Sequence, residues 1–306
     1  MSMHNTERLK GLDVFVAVAA AGSFTAAAQR LNLTSSAVGK AIGRLEARLN
    51  TRLFERTTRR LRLTDAGHKF HRRCVQVLDD IAAAERDLIT DDEQPSGRLQ
   101  LELPATFGHL QVMPVLLDFL ERFPGIAPHI MFSDRFIDVV EDGVDMAVRI
   151  GGSNSWPANV GRRFLGNERL IFCASPVYLE RRGMPLSLAQ LQADQHAVVT
   201  YGRSSGEPGS WLVATEAGLV ERRYVGSRAV VGHAEAQLDA VLAGLGVAQM
   251  ATWLVGPHLR SGRLLAILPD CDIDGLPLHL LWPVSKEHHP KVSRLLAHFQ
   301  DKLRIR

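Results

Sequence analysis

The chain has 306 residues, 46% hydrophobic and 23% charged, the values of a globular protein and not of a low-complexity or collagen-like one. No apolar run reaches the length of a membrane-spanning helix, and the opening MSMHNTERLKG lacks the apolar core of a secretory signal. The net charge of +3 is unevenly placed: Met1–Asp65 holds eleven Lys and Arg against five Asp and Glu, the remainder twenty-five against twenty-eight.

A basic head on a slightly acidic body points to a polyanionic partner, either nucleic acid or a membrane surface, and the fold of the head must choose between them. Cys74, Cys173 and Cys271 lack metal-type spacing and fit buried free thiols, so a cytoplasmic protein is expected. At this length more than one core is expected.

In the head, Leu9, Leu12, Phe15, Val16 and Ala19 form a helical stripe that Gly22 ends. Ser23 can cap a second helix, FTAAAQRL, and Asn32 suits the tight turn that follows. Thr34 or Ser35 caps a third helix. Its stripe of Val38, Ile42, Leu45 and Leu49 must face inward, so Ser36, Gly39, Lys40 and Gly43 face outward.

A glycine inside a helix costs about 1 kcal/mol relative to alanine. Two of them on one outer face make sense where the backbone must approach another surface closely. Two short helices joined by a tight turn, the second small, polar and basic outside, describe a helix-turn-helix whose second helix enters the DNA major groove. Lys40 can then reach a guanine edge or a phosphate, and Ser36 either kind of group. A helix pair packed against another part of the protein would use the same glycines.

In LFERTTRRLRLTDAG, Arg56, Arg59, Arg60 and Arg62 crowd a turn between apolar residues. This reads as a β-hairpin wing aimed at phosphate, or as a solvated basic loop.

From Gly22 to Gly67 these residues closely resemble the DNA-binding region of LysR-type transcriptional regulators. The resemblance runs through the Ser-Phe start, Ala-Ala, Ile-x-x-Leu-Glu, Leu-Phe-x-Arg and Leu-Thr-x-x-Gly. Gly39 stands where that family usually has serine, and Asn50 where a helix-ending glycine is usual. CASPVYLERRGMP and LAGLGVAQMATWLV look like its effector-domain landmarks. The resemblance assigns DNA contacts to Ser23, Thr25, Ser35, Ser36, Gly39, Lys40, Gly43, Arg44, Arg56, Arg59 and Arg60.

Thr64 can cap a longer helix reaching about Thr90, with Phe70, Cys74, Val77, Ile81, Ala84 and Leu88 spaced as a heptad seam. Such a stripe calls for a second copy, making a homodimer on a pseudo-palindromic operator of double-stranded DNA; a lone helix lying on its own sensor domain is the alternative. His68, His71 and Cys74 share three-residue steps on this helix, which leaves a metal site open on paper. TDDEQPSGRL then reads as a hinge-like linker.

Beyond it, strand and helix patterns alternate, as in parallel, helix-covered sheets. Strands are expected at RLQLELP, HIMFS, VDMAVRIG, ERLIFCAS, HAVVTYG, VAQMA and LHLLWPVS. Helices are expected at HLQVMPVLLDFLERFP, RFIDVVEDG and HAEAQLDAVLAGLG, with a last one from Pro290. The organisation expected is therefore α/β with a helix-rich winged helix-turn-helix over 1–65, a dimerisation helix over 66–92 and an effector-binding domain over 93–306.

By resemblance that domain has two lobes like those of periplasmic binding proteins, about 98–164 with 275–306 and about 165–274, crossed twice by the chain. The family also implies a homotetramer and a ligand that closes the lobes. Ligands of open α/β sheets sit at the carboxyl ends of strands. This selects Ala105, Thr106, Phe107 and Arg149 on one lobe and Tyr201, Gly202, Arg203 and His233 on the other.

Two arginines and helix-start amides suggest an acidic effector, such as a small carboxylate. A rigid oligomerisation body without ligand is the competing reading. GRSSG, Gly202 to Gly206, matches a nucleophile-elbow pattern, with Asp239 and His258 available in chain order, but Pro208 and Gly209 oppose the helix an elbow needs. No cofactor motif appears, and no catalytic role is expected.

Overall fold

In the computed structural model the described residues are 9–56, 61–89, 94–152, 156–193, 196–202, 209–214 and 220–305. The chain divides into two units, Met1–Arg98 and Leu99–Arg306.

The first unit holds α1 (Leu12–Ala21), α2 (Phe24–Arg30), α3 (Ser35–Leu49), β1 (Phe54–Arg56), β2 (Leu61–Leu63) and α4 (Asp65–Ile89). Helix α1 starts three residues later than its stripe suggests, because Gly11 takes a left-handed φ of 82° and leaves Leu9 exposed. The caps form as expected: the Ser23 hydroxyl accepts from the Ala26 amide at 3.4 Å and Thr34 from Ala37 at 3.1 Å. Asn32 and Asn50 sit at φ 54° and 47°, the left-handed geometry the turn and the helix end demand.

Phe15, Val18, Val38 and Ile42 are fully buried, with Phe15 edge-on to Phe54 at 5.4 Å. Burial of each such side chain contributes about 1.5–3 kcal/mol. Leu49 departs from the expected stripe: it lies in the last turn before Asn50 and is exposed.

Strands β1 and β2 pair antiparallel, Phe54 opposite Leu63 and Arg56 opposite Leu61. Glu46 fixes this hairpin to α3, its carboxylate accepting from the Leu53 and Phe54 amides at 2.7 and 3.1 Å. Thr64 opens α4 by accepting from the Gly67 amide at 2.9 Å. Gly67 is required by close approach, since a Cβ there would stand 2.1 Å from the Leu53 carbonyl oxygen.

The second unit runs β3 (Gly97–Leu103), α5 (Ala105–Phe107), a π-helical stretch Gly108–Val112, α6 (Met113–Arg122), β4 (Ile126–Phe132), β5 (Met146–Ile150), β6 (Val160–Ala174), α7 (Pro176–Arg182) and α8 (Leu188–Ala193). It continues with β7 (Val199–Tyr201), β8 (Ser210–Ala214), β9 (Val220–Tyr224), β10 (Ala229–Val231), α9 (Ala234–Leu242), β11 (Ala248–Ala251), α10 (Thr252–Arg260), β12 (Leu265–Ile267), β13 (Ile273–Pro283) and α11 (Pro290–Lys302).

The main sheet has the order β11-β6-β13-β5-β3-β4, with β12 also on β6. It is mixed where alternation suggested parallel: β3 and β5 are parallel, whereas β13 runs antiparallel to both β5 and β6; β7 and β10 form a separate parallel pair. The reason is that β6 and β13 are long return strands, so neighbouring strands meet them head to tail. The helix expected over 135–143 does not form. Asp138 accepts from the Val140 and Glu141 amides at 2.8 and 2.9 Å and holds a turn instead.

Among the described residues four buried clusters carry the unit, the smallest of them joining Val139, Val144, Ala147 and Leu281. One joins Leu99, Leu101, Phe107, Phe119, Leu280 and Phe299. The others gather Phe172, Trp211 and Val247, and Cys173, Val199 and Val241. Asp145 ties the sheet to the C-terminal segment, accepting from the Gln100 amide at 2.8 Å and pairing with the buried Lys286 and with Lys291.

Candidate functional site

Two surfaces collect the residues singled out in the sequence. On α3, Ser35, Ser36, Lys40, Gly43 and Arg44 are exposed and Gly39 is half-buried. Among the described residues a Cβ built on Gly39 or Gly43 meets nothing within 4 Å, so neither glycine serves packing against them. Thr25 is exposed on α2, while the Ser23 hydroxyl is already used as a cap. Arg62 is exposed on the hairpin. Arg59 and Arg60 lie outside the described residues, as does the side chain of Arg56.

The seam on α4 is corrected in its first half. Cys74 is buried in the core of its own head and Phe70 packs on the same cluster, so neither is left for a second copy. Burial pushes the Cys74 thiol up to about 11. Val77 and Ile81 are each 38% exposed and do present an apolar stripe; the side chains of Ala84 and Leu88 lie outside the described residues. His71 stands edge-on to Phe15 at 6.0 Å, and burial first, then the charges of His68 and Arg98, hold its pKa below the usual value. Among the described residues no group of three His, Cys, Asp or Glu could hold a metal ion.

The second surface is a cavity of about 190 Å³ inside the Leu99–Arg306 unit. Thr106 and Phe107 line it from the end of β3, with Arg149 from the end of β5 and Tyr201 from the end of β7. The strand-end rule therefore brings these four together. It does not bring in the others. Ala105, Gly202 and His233 are not lining residues; the Gly202 amide bonds the Val231 carbonyl, and His233 is an exposed cap position on α9. Arg203 and Ser204 lie outside the described residues. Asp239 on α9 is exposed and His258 lies on α10, neither of them among the residues lining the cavity.

The expected anion seat is filled from within. Asp134 accepts from the Ala105 amide at 3.0 Å and, through its other oxygen, from the Tyr201 hydroxyl at 3.0 Å. Arg149 is buried and donates to the Ser133 carbonyl at 3.2 Å, with Glu102 at 3.6 Å offsetting its charge. Burial pushes the Glu102 carboxyl up, and the Arg149 charge pulls it back. The Ala105 amide and Arg149, two of the anchors expected to hold a carboxylate, are thus engaged by the chain itself.

The sequence reading missed four residues at these surfaces. Gln249 is a polar residue in an apolar strand, a signal that could have been noticed; its amide bonds the Leu212 backbone N–H and carbonyl at 2.8 and 2.7 Å, as a neighbouring strand would. Glu168 accepts from the Trp253 indole and the Leu276 amide, both at 3.3 Å. Glu46 closes the Ile-x-x-Leu-Glu motif but was given no role, and Asp134 carries no signal, because the partners of both are set by the tertiary fold. Among the described residues the Thr106 hydroxyl and the Trp211 indole N–H, both buried at the cavity, have no hydrogen-bond partner.

Residues 9–68 match the family described as bacterial regulatory helix-turn-helix protein, lysR family, and residues 92–304 match the LysR substrate binding domain. The HTH-type transcriptional regulator YhjC of Escherichia coli (strain K12) is 33% identical over 94% of this chain and 95% of its own length. The solved structure of CrgA, a LysR-type transcriptional regulator from Neisseria meningitidis, covers 95% of this chain and 96% of that one at 28% identity and a TM-score of 0.59. ArgP from Mycobacterium tuberculosis, at 20% identity, shares the fold over 97% of this chain and 98% of that one, with a TM-score of 0.69.

Proposed function

The chain belongs to the LysR family of helix-turn-helix transcriptional regulators, and from that premise we propose how its residues divide the work. It is a DNA-binding regulator of transcription with an effector-binding domain. In our reading α3 enters the major groove of duplex DNA. Ser36, Lys40 and Arg44 supply donors there, and Gly39 and Gly43 let the backbone approach base edges and thymine methyls. The hairpin arginines Arg56, Arg59 and Arg60, with Ser23 and Thr25 at the start of α2 and Ser35 at the start of α3, meet the phosphate backbone and fix register.

The observation that carries this reading is the open space over Gly39 and Gly43 on a helix whose other face is fully buried at Val38 and Ile42. A helix that needed those glycines for internal packing would show atoms against them.

Val77 and Ile81 support pairing of α4 with a second copy, with Ala84 and Leu88 continuing the seam in sequence, and hence a pseudo-palindromic operator. We take two such dimers as the assembled tetramer. The lobes are read as 98–164 with 275–306 and 165–274, with the small-molecule effector in the cavity that Thr106, Arg149 and Tyr201 line. The domain bounds 1–65, 66–92 and 93–306 follow the same reading. The regulator works in the cytoplasm and carries no catalytic step; no described helix is long and apolar enough to cross a membrane.

Gel-shift titration over a range of salt concentrations tests the division of roles. Lys40→Ala is expected to weaken specific binding by about 1–3 kcal/mol if the lysine reaches a base edge. Arg59→Ala is expected to weaken all sequences alike and flatten the salt dependence. Equal losses with unchanged salt slope would remove the distinction. Ile81→Asp is expected to break the pairing helix, and an intact oligomer in size-exclusion chromatography would count against the seam.

A further inference from the structure

The cavity holds a carboxylate of its own where an acidic ligand was expected. Asp134 comes from the loop after β4 and binds two elements at once, the Ala105 amide at the start of α5 and the Tyr201 hydroxyl at the end of β7. Each of its oxygens accepts one of these bonds, and a carboxylate oxygen has room for a second. Asp134 is half-buried, and Glu168, also on the lining, is buried. Among the described residues on the lining, Arg149 is buried with its charge offset by Glu102, and Arg222 is exposed and donates to Ser210 at 2.9 Å.

Aromatic side chains stand among the aliphatic and polar ones on the rest of the wall. Phe107 and Trp253 meet edge to face at 5.1 Å, and Phe136 and Trp211 also line the space. Aromatic faces attract cations and pack against flat apolar rings. A carboxylate partly withdrawn from water repels a second anion brought beside it more strongly than one in bulk water does.

We propose that Asp134 is a specificity-determining residue of the effector cleft. It selects a small aromatic molecule that is uncharged or cationic and carries a hydrogen-bond donor, and it turns carboxylates away. This rests on the reading of the cavity as the effector site. The donor of the bound molecule meets the unfilled acceptor positions of Asp134, its ring lies against Phe107 and Trp253, and the Thr106 hydroxyl and Trp211 N–H are at hand for an acceptor on the same molecule.

The test titrates the full-length protein with benzylamine, benzyl alcohol and benzoate, read by tryptophan fluorescence and by calorimetry. Benzylamine and benzyl alcohol are expected to bind at least about tenfold more tightly than benzoate, the equivalent of one pKa unit of interaction. In Asp134→Asn, which keeps the side-chain shape, benzoate should gain and benzylamine should lose by a similar factor. Tyr201→Phe, which keeps the carboxylate, should leave the order of the three unchanged; a purely structural role for Asp134 would not reverse a charge preference.

Benzoate binding as tightly as benzylamine, an order that Asp134→Asn leaves intact, or no response to any aromatic probe overturns the proposal. If Asp134→Asn fails to show a cooperative melt, the order in the unmodified protein decides. A response only to aliphatic or sugar compounds refutes this inference and spares the effector-site reading. No response to any member of a broad metabolite collection refutes that reading itself.

Discussion

On α3 the residues offered to DNA lie within one short stretch, Ser35 to Arg44, and a single helical face displays them. Around the cavity the wall is drawn from Pro104 to Leu276, with α5, β5, β6, β7, β8, α9, β11 and α10 all contributing. The first surface is a property of one element and its caps. The second exists only once many elements have met. A helical face can therefore be lost by changing one side chain without disturbing the fold, whereas the cavity is tied to the pairings that hold the sheet.

The largest effect expected is on the effector unit. Asp145→Ala leaves the buried Lys286 without its carboxylate, which should cost about 3–5 kcal/mol. Urea denaturation followed by tryptophan fluorescence reads this directly, since Trp211 and Trp253 sit in that unit. In the head, Glu46→Ala frees the Leu53 and Phe54 amides and should cost about 1–3 kcal/mol. If both substitutions shifted one shared unfolding transition, the contrast between two separately built regions would be lost.

A smaller change sharpens the contrast within α3. Gly43→Ala should stabilise the head by up to about 1 kcal/mol, because alanine suits a helix interior and nothing stands in its way. Gly43→Leu should melt no lower than the parent yet bind duplex DNA poorly, as measured by gel shift. Unimpaired binding by Gly43→Leu would show that this face does not approach the groove.

The pH dependence is finer still. His71 has a folded pKa below its ordinary value, so at mildly acidic pH the unfolded chain binds the extra proton. Its contribution is constant above the ordinary histidine range. Stability is then lost as pH falls from that range through the lowered folded value, and the loss levels off below it. His71→Phe should reduce this slope in chemical denaturation at a series of pH values. Last, Cys173, buried and pushed up to about 12, and Cys74 should resist alkylation at neutral pH until the protein unfolds, which mass spectrometry would follow.

The head was legible almost in full. Its helix stripe, the Ser23 and Thr34 caps and the left-handed Asn32 and Asn50 are local matters, fixed by residues within one or two turns of each other. The stripe misjudged Leu9, Leu49 and the first two seam positions, Phe70 and Cys74. Periodicity tells which side chains share a face; it does not tell how far the neighbouring core extends. In the effector unit the strand-end rule found Thr106, Phe107, Arg149 and Tyr201. It misplaced Ala105, Gly202 and His233, since a residue at a strand end still has to face the space.

What the sequence determined by itself was the order of elements, the bare outer face of α3 and the family to which both halves belong, because spacing, capping and turn chemistry act over a few residues. What only the tertiary structure decided was which polar groups meet at and beside the cleft. Asp134 meets Ala105 across 29 positions and Tyr201 across 67, and Glu102 meets Arg149 from another strand. No local pattern encodes such partners. They arise when sheet pairing brings distant polar groups into one water-poor space, where each must find a hydrogen bond or a counter-charge.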